Sequence, residues 1–407
     1  MSQIRACLAM SALAALLISA PAFGGAKVTI DDESKIDIGF RVQALTIVTD
    51  ELDENGDATK TADWKVRRGR LRITGMITPD VTAFIQTDVG GAANGSGQSA
   101  RVIDAYVQMK ADPWAQIYMG LNMPPSNRQN VTSSGAPMTM DRPGIAYKSL
   151  TWGGRMLRTF SNNTISGTSS GLASDVAVRD LGVTLFGAGK VGEKASLKYY
   201  LGVYDGVNQS GAAADTTATL TNRKDTPHVS ARVQLNFFDA ESGYYNSATY
   251  LGKKKTVGIG ASVDQQSDVS IGGPFANPTY VDYLYYTVDF FADLPLESGG
   301  ALTAEGGWMM LDFDDAAGFT GAQGSGFYGQ AGYFVNNWQP WAAFEMWSSD
   351  ATNDVGNVNQ FRVGVTRFLK GHNANIKLGF EQTSSDTPIL GTEDSVNAIV
   401  LGMFTTY

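Results

Sequence analysis

The chain is nearly devoid of cysteine: its 407 residues contain one, Cys7, set in an apolar run at the N-terminus. Once that run is removed, no disulfide, thiolate metal site or thiol nucleophile can form. No C-x-x-C-H haem-attachment motif exists either, so no cofactor is expected. Histidine is almost as scarce, with two residues, and proline numbers only 13. Basic residues are outnumbered 31 to 40, leaving a net charge of −9. That balance argues against nucleic acid as a partner, which calls for a basic footprint. After the N-terminus no apolar stretch approaches the ~20 residues that a membrane helix needs.

The N-terminus carries Arg5, then the apolar Ala6–Ala20 (ACLAMSALAALLISA), then the small residues of APAFGGA. This order is that of a secretory signal peptide, too short to span a bilayer. Cleavage after Ala22, Gly24 or Ala26 would fit; Gly24 is preferred. Residues 1–24 are then the signal and 25–407 a single exported unit.

What the chain does have is glycine (46 residues), abundant aromatics and a period of two almost everywhere. In His228–Phe237 (HVSARVQLNF), Val229, Ala231, Val233, Leu235 and Phe237 alternate with polar residues. Ile103, Ala105, Val107 and Met109 alternate with Asp104, Tyr106, Gln108 and Lys110. Such alternation marks strands with one apolar and one wet face. Sixteen strands are expected, at 35–48, 64–77, 81–89, 101–110, 114–122, 179–187, 195–204, 228–237, 256–266, 280–292, 301–312, 326–336, 339–349, 359–369, 373–382 and 396–407.

Long polar links (49–63, 90–100, 123–178, 205–227, 267–279, 313–325, 350–358, 383–395) alternate with short ones such as TPD, ADP and NW. Residues 238–255 are the exception, too long for a tight turn. The sorting fits an all-β, 16-stranded antiparallel transmembrane barrel with long extracellular loops and short periplasmic turns. An even strand count puts both termini in the periplasm. The last strand ends on an aromatic, with Ile399, Leu401, Met403, Thr405 and Tyr407 on one face. A soluble β-sandwich uses far fewer half-polar strands and has no reason to sort its loops.

The stretch WKVRRGRLRI (64–73) holds five basic residues. Leu71, Ile73 and Ile77 share one face; Arg68, Arg70 and Arg72 share the other. An arginine facing lipid near the midplane costs roughly 2–4 kcal/mol, so the three arginines should line the lumen as a ladder with rungs about 6.5–7 Å apart. Lys65 and Arg67 have lipid-face parity and are expected to snorkel to the headgroups at the extracellular end. The same parity places Arg41, Lys110, Lys198, Arg232, Arg362 and Lys377 in the lumen, with Asp37, Asp88, Asp104, Asp264, Asp289, Glu305, Glu345 and Glu381. The ladder is either an anion path or a set of wall arginines paired with carboxylates. Link 123–178 carries Arg128, Arg142, Lys148, Arg155 and Arg158 against only Asp141 and Asp175. A basic loop in an acidic chain suits a segment folded into the pore, where arginine and lysine select anions; guanidinium forks suit phosphate in particular.

KVRRGRLRITGMITPD, IDAYVQMKADPWAQIYMGLNMPPS, RDLGVTLFG, YYLGVYDGVN, ATYLGKKKTVGIG, VDFFADLPL, QPWAAFEMW and RVGVTRFLKGHNANIKLGFE resemble, in order, segments of the phosphate-selective porin O and P family of Gram-negative outer membranes. The resemblance implies a 16-stranded barrel, a homotrimer, loop 3 folded inward and an arginine ladder that Arg68, Arg70 and Arg72 match. The lysine-rich cluster of a strongly phosphate-specific member is absent; Lys253–Lys255 lie by a periplasmic link instead.

The function expected is a passive, anion-preferring outer-membrane porin for phosphate or other small anionic solutes, in contact with outer-membrane lipid and lipopolysaccharide. The alternatives are a general or non-phosphate diffusion porin and the barrel sheath of an electron conduit. A barrel enzyme would need a histidine with a partner. His372 lies in an expected turn and His228 reads as a polar wall residue. The acidic DELDENGD (50–57) lacks the full spacing of a calcium loop.

Overall fold

Alternating polarity becomes a closed cylinder once each strand finds two neighbours and no edge is left bare. The computed structural model describes residues 26–89, 100–143, 179–206, 226–272, 279–297, 299–314, 323–350, 357–386, 388 and 390–407. The expected signal peptide and Lys148, Arg155 and Arg158 lie outside the described residues.

A short strand comes first: β1 (Ala26–Thr29). The barrel follows as β2 (Lys35–Leu52), β3 (Ala58–Thr78), β4 (Val81–Asp88), β5 (Arg101–Asp112), β6 (Ala115–Asn122), β7 (Asp180–Lys190), β8 (Ala195–Tyr204) and β9 (His228–Phe238). It continues through β10 (Thr256–Gly272), β11 (Thr279–Pro295), β12 (Ala301–Asp312), β13 (Gly324–Phe334), β14 (Trp338–Ser349), β15 (Val358–Phe368), β16 (Ala374–Ser385) and β17 (Ser395–Thr406). Every strand from β2 to β17 pairs antiparallel with its sequence neighbour, and β17 closes the ring on β2 in a register running from Ala398↔Thr49 to Thr406↔Arg41. All sixteen expected strands are present. The unforeseen β1 pairs with Lys35–Ile38, the part of β2 that lies past the end of β17. The expected link 49–63 is mostly strand: β2 and β3 extend to a turn in which Asp53 accepts from the amides of Asn55 and Asp57 at 2.8 and 2.9 Å.

The outer surface is apolar around the ring. Phe40, Leu71, Ile85, Met119, Leu201, Val233, Val288, Phe344, Leu378 and Ile399 are all exposed on it, whereas Arg41, Gln43, Asp88, Asp104, Lys198, Arg232, Glu305, Glu345, Arg362 and Lys377 are buried inside. A soluble protein has the reverse arrangement; this one presents oil-compatible side chains to its surroundings. Trp114, Phe238 and Trp338 are exposed at the rim of short turns, as in an interfacial aromatic girdle. Both ends of the barrel chain lie at that rim.

Two expectations of side-chain direction fail, and one device explains both. Gln43 pairs with Arg68 but Ala44 pairs with Val66, so Arg67 is the extra residue of a β-bulge. The bulge turns Arg67 inward, where it is 8% exposed, and reverses the parity of the residues before it. Lys65, opposite the buried Leu45, therefore shares the inner face, and Trp64 takes the outer one at 69% exposure. A second bulge at Ile103 buries that side chain beside Asp104 instead of sending it to the lipid face. Lys110, expected in the lumen, is exposed near the short-turn rim.

Nitroxide labels test the bulge. In proteoliposomes, labels at positions 64 and 71 are expected to collide freely with lipid-dissolved oxygen, and a label at 67 to be shielded from it. High oxygen accessibility at 67 would restore the unbroken alternation.

Candidate functional site

The inward side of β2 to β6 carries two rows of side chains set by strand register. Arg72 pairs across to Gln86, which pairs to Asp104; one step nearer the short-turn rim, Thr74 pairs to Phe84 and Phe84 to Tyr106. The row of Arg72, Gln86 and Asp104 thus stands about 7 Å above the aromatic row, and the paired Arg41 and Arg70 lie one row further from it. Glycine makes room for these arginines. A Cβ on Gly39 would lie 2.3 Å from the Tyr407 backbone oxygen and 3.2 Å from Arg72 Nη2, so only glycine lets Arg72 donate to that oxygen at 2.6 Å. A Cβ on Gly135 would lie 2.5 Å from Arg41 Nη2.

The described part of the longest link, 123–143, packs against inward side chains from several sides of the ring. Asp141 bridges Arg67 at 2.7 Å and Arg68 at 2.8 Å on β3. Ser134 Oγ accepts from Arg41 at 2.5 Å and Arg70 at 2.9 Å. From β16, on the other side of the β17–β2 seam, Lys377 Nζ donates to the Pro137, Met138 and Thr139 carbonyls at 2.5, 3.2 and 2.7 Å. Arg362, ion-paired with Glu345, donates to the Asp141 carbonyl at 3.3 Å. Met138 and Met140 join Leu45, Ile47, Trp341, Val400 and Phe404 in an apolar cluster inside the barrel. That dry patch on an otherwise polar inner wall was not anticipated.

The link between β9 and β10 was expected as an overlong turn at the rim. It is that long, and it folds inward and binds the first link. Asn246 forms a parallel bridge with Thr132: its amide donates to the Val131 carbonyl at 2.7 Å, and its carbonyl accepts from Ser133 at 2.9 Å. Arg128 meets Glu241 through two hydrogen bonds, at 2.9 and 3.0 Å, and lies 3.5 Å from Glu305. Tyr244 OH donates to the Met123 carbonyl at 2.7 Å, and Lys198 Nζ to Asn246 Oδ1 at 2.5 Å. The sequence signal was available in DAESGYYNSATYLG, a link rich in aromatics and small polar residues and poor in charge.

Charges in this inner layer are held ionised by their partners. Burial opposes ionisation of Asp141, but Arg67 and Arg68 outweigh it and hold its carboxyl well below the usual range. Burial likewise opposes the charge on Arg128, and Glu241 and Glu305 reverse that effect and raise its pKa.

Between the inner layer and the β2–β5 wall a cavity of about 190 Å³ stays open. It is lined by Arg41, Arg70, Arg72, Arg142 and Arg179 with a single acid, Asp104, and by Phe84, Tyr106, Tyr245 and Met123. Asp104 receives two hydrogen bonds from Arg179, at 3.0 and 3.2 Å. Arg70 is held by Asp88 at 2.8 Å. Arg41 donates to the hydroxyls of Ser134 and Thr406 and, among the described residues, has no carboxylate partner. A second cavity, near the short-turn rim, shares Arg72 and Phe84 with the first and adds Lys27, Lys370 and Asn373, so the two are adjacent along one wall.

The sequence-predicted residues therefore divide. Arg41, Arg70, Arg72 and Arg142 come together at the cavity. Arg68 is occupied by Asp141, Arg128 by Glu241, Arg232 by Asp289 at 2.6 Å, and Arg362 by Glu345. Arg179 was missed, although it directly precedes a strand whose inner face begins at Asp180. His228 is buried between Asp180 and Asp264, each 2.8 Å from one ring nitrogen.

Residues 36–199 match the family model described as phosphate-selective porin O and P. That span includes every cavity-lining residue except Tyr245; the quoted motifs from 248 onward lie outside it. No curated protein matches the chain in sequence. Among solved structures, the anion-selective porin from Comamonas acidovorans is similar at a TM-score of 0.54 and 10% identity, covering 92% of this chain and 100% of that one. The outer membrane channel DcaP of Acinetobacter baumannii gives 0.52 and 13%, over 95% and 100%. A loop-deletion form of OmpT, an outer membrane protein of Vibrio cholerae, gives 0.51 and 9%, over 92% and 100%. At these identities the likeness is one of fold, that of an outer-membrane porin barrel.

Two outcomes follow from the inner layer. Arg128→Ala leaves Glu241 buried beside Glu305 without its main partner and is expected to cost about 3–5 kcal/mol of stability in urea unfolding. His372, in the β15–β16 turn, donates Nε2–H to the Thr249 carbonyl at 2.9 Å. Burial pushes its pKa down to about 4, Thr249 opposes the shift, and Lys377 and Lys253 add to it. The folded state thus favours neutral imidazole, so the contact stabilises fully above about pH 6.5 and loses its effect as pH falls toward 4. The stability advantage of wild type over His372→Phe, read by thermal unfolding, is expected to shrink across that window.

Proposed function

We propose that this protein is a passive, anion-preferring channel of the outer membrane. The observation that carries the reading is the cavity lining, with five arginines against one aspartate in an opening along the β2–β5 wall. Link 123–178 acts as the constriction loop, and the β9–β10 link backs it from the other rim. Anions are drawn along Arg142 and Arg41 to Arg72 and leave past Lys27 and Lys370. A desolvated wall with fixed cationic forks lowers the cost of bringing an anion out of bulk water and raises that of a cation. The short-turn rim is periplasmic, the long-link rim extracellular, and the mature chain begins after a signal peptide ending at residue 24.

The family's description as phosphate-selective and the anion selectivity of the Comamonas porin support an anionic cargo. Phosphate is one small anion among those the cavity suits. A homotrimer set in outer-membrane lipid and lipopolysaccharide is the assembly proposed. A sheath around a separate electron carrier fits less well, because the chain's own segments fill much of the lumen. Hydrolysis is not proposed: each ring nitrogen of His228 lies 2.8 Å from an aspartate, Asp180 or Asp264.

Reversal potentials in a potassium chloride gradient across planar bilayers test this reading. Arg41→Ala and Arg72→Ala are each expected to lower the chloride-to-potassium permeability ratio roughly twofold or more, and the double substitution further. Arg41→Lys and Arg72→Lys should retain most of the preference. Unchanged potentials in the double alanine variant would overturn the proposal.

A further inference from the structure

The open cavity is not the all-round nest of donors that a bare oxyanion favours. Its cationic groups are Arg72 and, one row further, Arg41 on the wall, with Arg142 on the inner link, and the row below Arg72 is built of rings, Phe84 and Tyr106, with Tyr245 contributed by the β9–β10 link. Phe84 and Tyr106 are fixed relative to each other at 5.1 Å between centroids, and Tyr106 leans on Tyr118 at 5.2 Å. Tyr245 rests against Tyr244 at 5.0 Å, and Tyr244 is itself held to the Met123 carbonyl. These rings are braced from behind and do not depend on the cavity for their packing. The one carboxylate in the lining, Asp104, is already satisfied by Arg179 and Gln86. Arg72 Nε has no hydrogen-bond partner among the described residues.

We propose that this cavity is a binding site for planar aromatic carboxylates, compounds of the benzoate class, and that these are preferred solutes of the channel. The inference rests on the anion-channel reading above and narrows it to a substrate class. The carboxylate takes the forked donors of Arg72 and Arg41, while the ring lies on Phe84 and Tyr106. Arg72 stands one row, about 7 Å, from the rings, which suits a molecule whose charged and flat parts are directly joined. A dry cavity of about 150 Å³ is enough to hold benzene, so about 190 Å³ accommodates one ring with its carboxylate. Inorganic phosphate would use the arginines and leave the rings idle. An aromatic acid uses both, gaining stacking that a saturated acid of the same charge cannot match.

The test uses the full-length protein purified from outer membranes, with chloride current through single channels titrated by benzoate, cyclohexanecarboxylate, acetate and inorganic phosphate. Benzoate is expected to interrupt the current at a concentration about five- to tenfold lower than cyclohexanecarboxylate, the difference that ring stacking supplies. Acetate and phosphate should need more than either. Phe84→Leu and Tyr106→Leu are each expected to erase the gap between benzoate and cyclohexanecarboxylate. Equal potency of benzoate and cyclohexanecarboxylate in the wild type would overturn the aromatic-acid proposal alone, with anion preference intact. A gap that persists in both leucine variants would also overturn it, by placing the site elsewhere. A wild-type reversal potential without chloride preference would overturn the channel reading and this inference with it.

Discussion

Everything in this molecule follows from facing a hydrocarbon solvent. Because the outer face of the ring must be apolar, alternation along each strand delivers every second residue, mostly polar or charged, to the inside. An inner wall of that kind cannot pack on itself. Its buried ions need partners, and the chain supplies them from two links that would otherwise be surface loops. Asp141 answers Arg67 and Arg68, the carbonyls of Pro137–Thr139 answer Lys377, and Glu241 answers Arg128. The inner layer is thus the electrostatic complement of the wall. The cavity lies where that complement is incomplete, beside Arg41 and Arg72.

This arrangement separates two kinds of lumen arginine that look alike in sequence. Arg232 and Arg362 are each paired with a carboxylate on a nearby strand, and buried pairs of this sort set geometry more than they offer binding. Arg41 is surrounded by hydroxyls and other arginines, so its charge is available to whatever enters. Neither the run of basic residues nor its alternation predicts that distinction. It depends on where Ser134 and Asp141 are set by a link that spans the barrel.

The sixteen strands, the closure of the ring and the inward direction of Arg68, Arg70 and Arg72 were legible because lipid enforces a strict period of two, and that signal is local. What was illegible is non-local or breaks the period. The bulge at Arg67 adds one residue without changing composition, so Lys65 and Arg67 appeared to face outward. The burial of Leu45 and Ile47 on the inner side depends on Met138 and Met140 arriving from a distant link. Arg179 stands directly before β7 and Tyr245 in a link, so alternation brings neither to the cavity. The inward course of the β9–β10 link was signalled only by its excess length and its tyrosines.

The partners that fill the lumen lie far apart along the chain. Ser134 bonds Arg41 across 93 residues, and Pro137 accepts from Lys377 across 240. The link 123–143 rests on β2 and β3 from one end of the chain and on β15 and β16 from the other, the strands that flank the β17–β2 seam. The filling can therefore reach its final seat only as the β17–β2 seam shuts, when the first and last strands meet. Contacts of such sequence separation are slow to form. Closure of the cylinder and seating of its contents are thus coupled through the same residues.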